Sequence, residues 1–379
     1  MIFELNEYQQ ALQEQFRRFA QEEVRPLAAE IDENARFPIE TIEKIAKLGW
    51  MSLPFTKEYG GFGGDYVSYA ILIEELSKVC ASTGVIVQTH HGLCTWPILT
   101  YGTEVQKKKY LPPLMKGEKI GAFGLTEPNA GTDAAGQETV AVDMGDHWLL
   151  NGQKKFISNS GVAGIYVIMA MTDKSKGTKG ISAFIVEDIF PGFKVGKSER
   201  KMGIRGSVAR ELFFDNCIIP KENLLGELGK GFKVAMTSLD VGRIGIAAQA
   251  LGIAQGALDV ALEYVKNRKQ FGKPIAAFQG IAFELAQMKT RTDAARFLVY
   301  NAAYRRETGK PSSVEAAQAK YFASETAMYV TTKAVQLHGG YGYLQDYPVE
   351  RMMRDAKITE IYEGTSEVMK IVISGSMIR

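Results

Sequence analysis

Cysteine is scarce in this 379-residue chain: Cys80, Cys94 and Cys217 are its only thiols, odd in number and without paired spacing. That excludes a disulfide frame and a Cys-based zinc site, and reads as buried thiols of a reducing compartment. Histidine is almost as rare, with four: His90 and His91 adjacent, His147 in a turn-like stretch and His338 among glycines. Adjacent histidines on a helix point about 100° apart, so they cannot share a metal as an i, i+4 pair does. No His, Asp, Glu or Cys grouping has metal spacing, and no metal is expected. Charge of one sign is lacking too: 45 basic and 43 acidic residues leave a formal net charge of +2, with only short runs such as Lys107-Lys108-Lys109. Neither nucleic acid nor an anionic membrane is expected as a partner. GxSxG is absent, which weakens a hydrolase reading. MIFELNEYQQ lacks the basic-then-apolar order of a signal peptide. No run reaches membrane length, since GIAAQALGIAQGALDVAL is interrupted by Gln249, Gln255 and Asp259. A cytoplasmic setting is expected.

The length predicts two or three domains, and the patterning marks three. Residues 1–120 read as helical: Glu7 to Ile31 and Ile39 to Leu48 alternate apolar and charged positions at helical spacing, Tyr59 to Gly64 is a glycine-rich turn, and Asp65 to Val79 resumes an apolar face. Residues 121–230 change to short β-branched and aromatic runs, such as Tyr166 to Met171 and Ile181 to Val186, which predict an antiparallel sheet built as a sandwich or barrel. Asn151-Gly152 predicts a type I′ hairpin turn within Trp148 to Asn159. Residues 231–379 return to long helical periodicity. Small residues at Gly245, Ala248, Gly252 and Gly256 give the first of these helices a face for close contact; a second runs from Ile281 to Thr308. Ser312-Ser-Val-Glu315 is a capping box opening a third, which continues to Leu337. The expected fold is α+β and multi-domain: an N-terminal helical domain, a middle β domain and a C-terminal bundle like a four-helix bundle.

Several segments carry chemistry. In ITEIYEGTSEV, Glu363 stands between Tyr362 and Gly364, with Thr365 and Ser366 as caps for a further helix. A carboxylate beside a glycine leaves room for a planar ligand; it is equally an idle charge at a helix N-terminus. The loop from Gly124 to Asp133 offers free N–H groups and the hydroxyls of Thr126 and Thr132, either for a ring or phosphate or as an ordinary Pro-Gly turn. Phe156 and Ser158 share one strand face, suited to a flat heteroaromatic ring, although Phe156 alone reads equally as core. Arg268 suits a phosphate or a helix C-terminus. Asp240 and Arg243, one turn apart, read as a surface pair.

Taken together, GLTEPNAGTDAAG (Gly124 to Gly136) and QLHGGYGYLQDYPVERMMRD (Gln336 to Asp355) resemble the two signature stretches of the acyl-CoA dehydrogenases, in the expected order. The likeness runs through the RKQFG corner and IYEGTSEV, spans nearly the whole chain, and is nearest to the bacterial short-chain, butyryl-CoA members. It implies an FAD-dependent oxidoreductase that removes the α proton of an acyl-CoA with Glu363 and passes the β hydrogen as hydride to flavin N5. Electrons would be exchanged with an electron-transferring flavoprotein. The same fold also serves enoyl-CoA reductases, acting on acryloyl- or aryl-acryloyl-CoA in a flavoprotein complex; a non-catalytic acyl-CoA-binding protein is the remaining alternative.

The resemblance further implies that Phe123, Leu125, Thr126, Gly131 and Thr132 hold the flavin and the start of its pyrophosphate. Phe156 would flank the isoalloxazine, Ser158 would bond near N5, and Ile157 between them would also contact the cofactor. Arg268, Gln270, Gln279, Gln336, Leu337, His338, Gly339 and Gly340 would reach the FAD of a neighbouring subunit in a homotetramer arranged as a dimer of dimers. Thr365 and Glu367 would touch the same FAD as Glu363. Thr132, Asp240, Arg243 and Gly364 would meet the substrate. Where many members carry Trp and Thr, this chain has Phe156 and Ser158, so ring and hydroxyl survive. Met369-Lys370 replaces a frequent Gln-Arg. Some relatives place the base at the position of Gly242, which cannot serve here.

Overall fold

The structure, a computed structural model, describes residues 4–378. Met1 to Phe3, which open the segment tested for a signal peptide, lie outside the described residues, as does Arg379.

The N-terminal part is helical: α1 (Glu7–Phe19), α2 (Ala28–Asn34), α3 (Ile39–Lys47), α4 (Tyr66–Ser77), α5 (Ala81–Gln88), α6 (Trp96–Tyr101) and α7 (Glu104–Met115). Its start is written locally: Asn6 Oδ1 accepts from Gln9 N (2.8 Å) while Gln9 returns a side-chain bond to Asn6 N, a reciprocal cap. The apolar stripe of α1 then places Phe16 and Phe19 edge-on to Trp50. Helix α4 starts at Asp65, whose Oδ1 accepts from Ser68 N (2.6 Å), and nearly every residue of it is buried. Between α5 and α6 the chain takes a widened, π-helical course over Thr89–Thr95, entirely buried.

The middle part is one eight-stranded sheet of β1 (Ile120–Gly124), β2 (Val140–Asp143), β3 (His147–Ser158), β4 (Ala163–Met171), β5 (Ile181–Glu187), β6 (Phe193–Ser198), β7 (Ala209–Pro220) and β8 (Leu224–Leu225). The order is β6-β7-β3-β2-β4-β5-β8, with β1 pairing β4. Pairing is mainly antiparallel, but β1 and one bridge of β2 run parallel to β4. The predicted hairpin turn at Asn151-Gly152 does not form. Instead β3 runs straight through, because β7 supplies ladder partners on both sides, and the dipeptide becomes a register-shifting bulge between Leu150 and Gly152. Gly152, at φ +140°, lies so close to Thr139 that a Cβ would sit 2.7 Å from its Cα. The hairpin turn comes earlier, between β2 and β3, with Gly145 at φ +95° and Met144 N donating to His147 O (3.0 Å).

The C-terminal part comprises α8 (Gly231–Asn267), a two-residue-strand hairpin of β9 (Lys269–Gln270) and β10 (Lys273–Pro274), then α9 (Gln279–Glu307), α10 (Ser313–His338), α11 (Pro348–Lys357) and α12 (Ser366–Ile378). Among the described residues, by length and composition α8 alone is long and apolar enough to cross a membrane, despite its interrupting glutamines, yet 83% of that window is buried inside the protein. It is a core helix. Its small residues do bring it close: a Cβ on Gly252 would lie 2.4 Å from Glu74 O, and one on Gly256 would lie 2.2 Å from Lys78 O, both at the end of α4. Helix α9 is tied to α4 by buried Glu74, which accepts from Tyr300 (2.7 Å) and Arg296 (3.1 Å). The capping box expected at Ser312 is not made: Ser312 makes no side-chain cap bond. Glu315, whose carboxylate the box needs, pairs instead with Arg305 (3.0 Å), while the neighbouring Ser313 donates to Asp240.

Candidate active site

Glu363 sits in the turn between α11 and α12 at φ +54°, followed by Gly364 at φ +103°. A non-glycine residue in the left-handed region costs energy and persists only where the surroundings enforce it. Two cations do so here: Arg243 Nε donates to Glu363 O (3.4 Å), and Lys320 Nζ donates to Gly364 O. Thr365 Oγ1 accepts from Val368 N (3.3 Å) and caps α12. The turn aims the Glu363 carboxylate inward at α8, where a Cβ on Gly242 would lie 2.1 Å from Oε2. That oxygen is buried and has no hydrogen-bond partner among the described residues. Burial pushes the carboxyl from its ordinary 4.5 up to about 7, opposed by the Gln88 amide and by the charges of Lys320 and Arg243. The Gln88 amide itself donates to Gly242 O (3.1 Å). A neutral-to-ionised switch close to pH 7 suits a general base. Glu363 is therefore no idle helix end, and Asp240–Arg243 is no surface pair: Arg243 is buried, bonded to Asp240 Oδ1 (2.7 Å) and to the turn.

The loop after β1 lies against β3. Lys155 N donates to Thr126 O (2.8 Å), and buried Lys154 donates to Leu125 O (3.2 Å), Glu127 Oε1 (2.6 Å) and Gln137 Oε1 (3.0 Å). Glu127 in turn accepts from Glu138 N (2.6 Å) and Thr139 N (3.1 Å). Burial lowers the Lys154 pKa to about 8 against the pull of Glu127. Phe123, Leu125 and Ile157 point into the core, so they offer the loop and strand surface only their backbone. Thr126 and Ser158 are half-buried and Thr132 exposed. Phe156 is 61% exposed and held at φ +60°, where β3 shifts register against β7 between Lys154 and Ile157. An exposed aromatic ring held on a strained backbone points to a ligand.

A separate cleft of about 400 Å³ gathers Arg268, Gln270, Leu337, His338, Gly339 and Gly340. Gln279 and Gln336 are exposed and do not line it. His338 stacks on Tyr264 (centroids 4.1 Å) and engages Ala334 O (2.7 Å), so it shapes the wall. At Gly131 and Gly340 neither positive φ nor a neighbour within 4 Å calls for glycine. Backbone left bare in this way fits the close approach of a ligand or a second chain. Glu367 is exposed. Reading the sequence missed Lys320, Lys154, Gln88 and Tyr69. A lysine among small and apolar residues was the available signal for Lys320; nothing local marked the others.

The chain matches the N-terminal, middle and C-terminal domain models of acyl-CoA dehydrogenase over residues 6–118, 122–217 and 229–378. It is 60% identical over the full length of both chains to the short-chain-specific acyl-CoA dehydrogenase of Clostridium acetobutylicum. The chain belongs to the acyl-CoA dehydrogenase family. Among solved structures, butyryl-CoA dehydrogenase of Megasphaera elsdenii superposes with a TM-score of 0.98 at 52% identity, covering all of both chains. A chain from work on the electron transferring flavoprotein of Acidaminococcus fermentans and flavin-based electron bifurcation gives a TM-score of 0.99 at 53% identity, again over all of both. Family membership makes the chain an oxidoreductase of a flavin-dependent family, with helical, β and helical parts in the family's order.

Proposed function

We propose that the protein is an FAD-dependent short-chain acyl-CoA dehydrogenase, butyryl-CoA-like in its preference, with Glu363 as the base. The observation that carries this is the buried, unpartnered Glu363 Oε2, on a carboxyl that burial pushes up to about 7. Phe156, Ser158, Thr126, Thr132 and the bare backbone at Gly131 would hold the flavin on the β-domain side, with Phe123, Leu125 and Ile157 contributing backbone. The cleft of Arg268, Gln270 and Leu337 to Gly340, with Gln279 and Gln336 beside it, would serve the FAD of a neighbouring subunit in a homotetramer. Thr365 and Glu367, beside the base, would touch the same FAD as Glu363. Bound FAD supplies the acceptor for the β hydrogen.

The chain's residues do the rest. Asp240, Arg243, Thr132 and Gly364 would position the pantetheine arm and thioester. The left-handed turn at Glu363-Gly364 directs the carboxylate inward while its own N–H remains available to a thioester oxygen, whose developing charge it would stabilise. Glu363 Oε2 accepts the α proton, a role that typically contributes ~10²–10⁴-fold. The likeness to the Megasphaera elsdenii butyryl-CoA dehydrogenase supports a short acyl chain, and that to the Acidaminococcus fermentans chain supports exchange of electrons with an electron-transferring flavoprotein. The latter is also compatible with the enoyl-CoA-reducing direction in a bifurcating complex.

The test is Glu363→Gln. The variant is expected to purify yellow with wild-type flavin content, and to lose dye-linked butyryl-CoA oxidation by 10³-fold or more, on the order of a lost general base plus a misplaced amide. Wild-type-like turnover would remove Glu363 from the role. In the wild type, bleaching by butyryl-CoA against reoxidation by the enoyl series separates the two directions.

A further inference from the structure

Glycines 242 and 245 lie one turn apart on the same face of α8. A Cβ on Gly242 would meet Glu363 Oε2 at 2.1 Å; one on Gly245 would meet Tyr69 Oη at 2.5 Å and Gln88 Cγ at 2.4 Å. Side chains so spaced on a helix sit about 5–6 Å apart, so the base and the phenol hydroxyl are at most about 10 Å from each other. His91, from the π-helical stretch, sets its ring edge-on to Tyr69 with centroids 5.0 Å apart. Tyr69 and His91 are each 1% exposed, yet Tyr69 Oη and both His91 ring nitrogens have no hydrogen-bond partner among the described residues.

An unpaired buried polar atom is costly, and Phe and Leu would fill the same space without that cost. A wall meant only for an alkyl chain has no use for them. Burial keeps His91 neutral, far below its ordinary pKa, against the pull of the Met51 and Trp50 backbone beside it, and keeps the Tyr69 hydroxyl protonated, so each side chain has one donor and acceptor capacity. Nearby cations are committed: Lys320 to Gly364 O and Arg243 to Asp240 and Glu363 O. With the Glu363 carboxylate adjacent, an anionic substituent is disfavoured and a neutral one is not.

We propose that Tyr69 and His91 form a polar wall beside the base, so that the enzyme prefers thioesters bearing a neutral hydroxyl or carbonyl a few bonds beyond the β carbon over alkyl chains of equal length. This rests on the dehydrogenase reading above. A site built to hydrogen-bond a substrate hydroxyl discriminates strongly against the analogue lacking it.

The experiment compares kcat/KM of the FAD-loaded enzyme in two matched pairs: 4-hydroxybutyryl-CoA with pentanoyl-CoA, and 5-hydroxypentanoyl-CoA with hexanoyl-CoA. The hydroxylated member is expected to be favoured by about 10-fold or more in at least one pair, one hydrogen bond to a desolvated partner. Tyr69→Phe or His91→Leu should bring that ratio to about one, with the flavin absorbance of each variant reporting that it is folded. Equal or reversed preference in the wild type, or a ratio that both variants leave unchanged, overturns the proposal while leaving the dehydrogenase reading intact. No bleaching by any acyl- or enoyl-CoA overturns that reading and this inference with it.

Discussion

At the scale of the residue, the Glu363 carboxyl is balanced between burial, which favours its neutral form, and the Gln88 amide and the Lys320 and Arg243 charges, which favour the ion. As the proposed base, Glu363 would work ionised. Dehydrogenation by the free enzyme should therefore fall as pH drops through about 7, approaching a tenfold loss in kcat/KM per unit below it. A pH profile with its acid limb near 4.5, the ordinary carboxyl value, would contradict this environment. The same shift bears on stability. A carboxyl whose folded pKa is raised helps the fold below its unfolded value, and that help is lost as pH rises through the folded one. Between about 4.5 and 7 the fold should lose roughly 2–3 kcal/mol to this group alone. Glu363→Gln is accordingly expected to unfold at higher temperature than wild type at pH 8 and at nearly the same temperature near pH 4.5, as read by calorimetry at both values.

At the scale of the element, α8 is both core and active-site wall, and Gly242 is where these roles meet. Gly92 of the π-helical stretch crosses it so closely that a Cβ there would lie 3.3 Å from the Gly242 Cα. Helix propensity favours alanine over glycine by about 1 kcal/mol in a helix interior. Yet a methyl at 242 would fall on Glu363 Oε2 at 2.1 Å and on Leu93 Cδ2 at 2.9 Å. Gly242→Ala should keep its flavin and fold while kcat drops by about 100-fold, the cost of moving a catalytic group by about 1 Å. An alanine variant with unchanged kcat would show that the carboxylate works from another position. The π-helical widening matters for the same reason: it turns His91 towards Tyr69 within an otherwise regular run of buried helix.

At the scale of the molecule, large aromatic side chains stand exposed on the C-terminal part: Phe271 at 91%, Phe283 at 64% and Tyr343 at 86%. Exposed apolar surface of this kind marks a binding face, and Phe271 tips the β9–β10 hairpin beside the cleft of Arg268 and Gln270. In the homotetramer proposed above, burial between subunits would account for the exposure of these aromatic side chains. Sedimentation is expected to give four chains, and Phe271→Asp to give a smaller species that releases FAD more readily. A smaller species that keeps its flavin as tightly would uncouple the cleft from the cofactor.

The order of helical, β and helical parts was legible because burial periodicity is local: 3.6 in α1 and α3, short β-branched runs in β4 and β5. Local chemistry misled where tertiary partners could outbid it. Asn151-Gly152 carries the preferred residues of a hairpin turn, but β7 pairs on both sides of it and makes it a bulge. Ser312 and Glu315 have capping-box spacing, but Arg305 takes the Glu315 carboxylate that the box needs. The sequence by itself determined that Glu363 is flanked by Gly364 and that position 242 holds no carboxylate. Only the tertiary structure decided that the carboxylate is buried against Gly242, that Lys320 and Arg243 hold its turn, and that Tyr69 reaches the same face of α8 with His91 against its ring. Those contacts join residues far apart in the chain, and a pKa or a polar wall is a property of such neighbours, which no local pattern encodes.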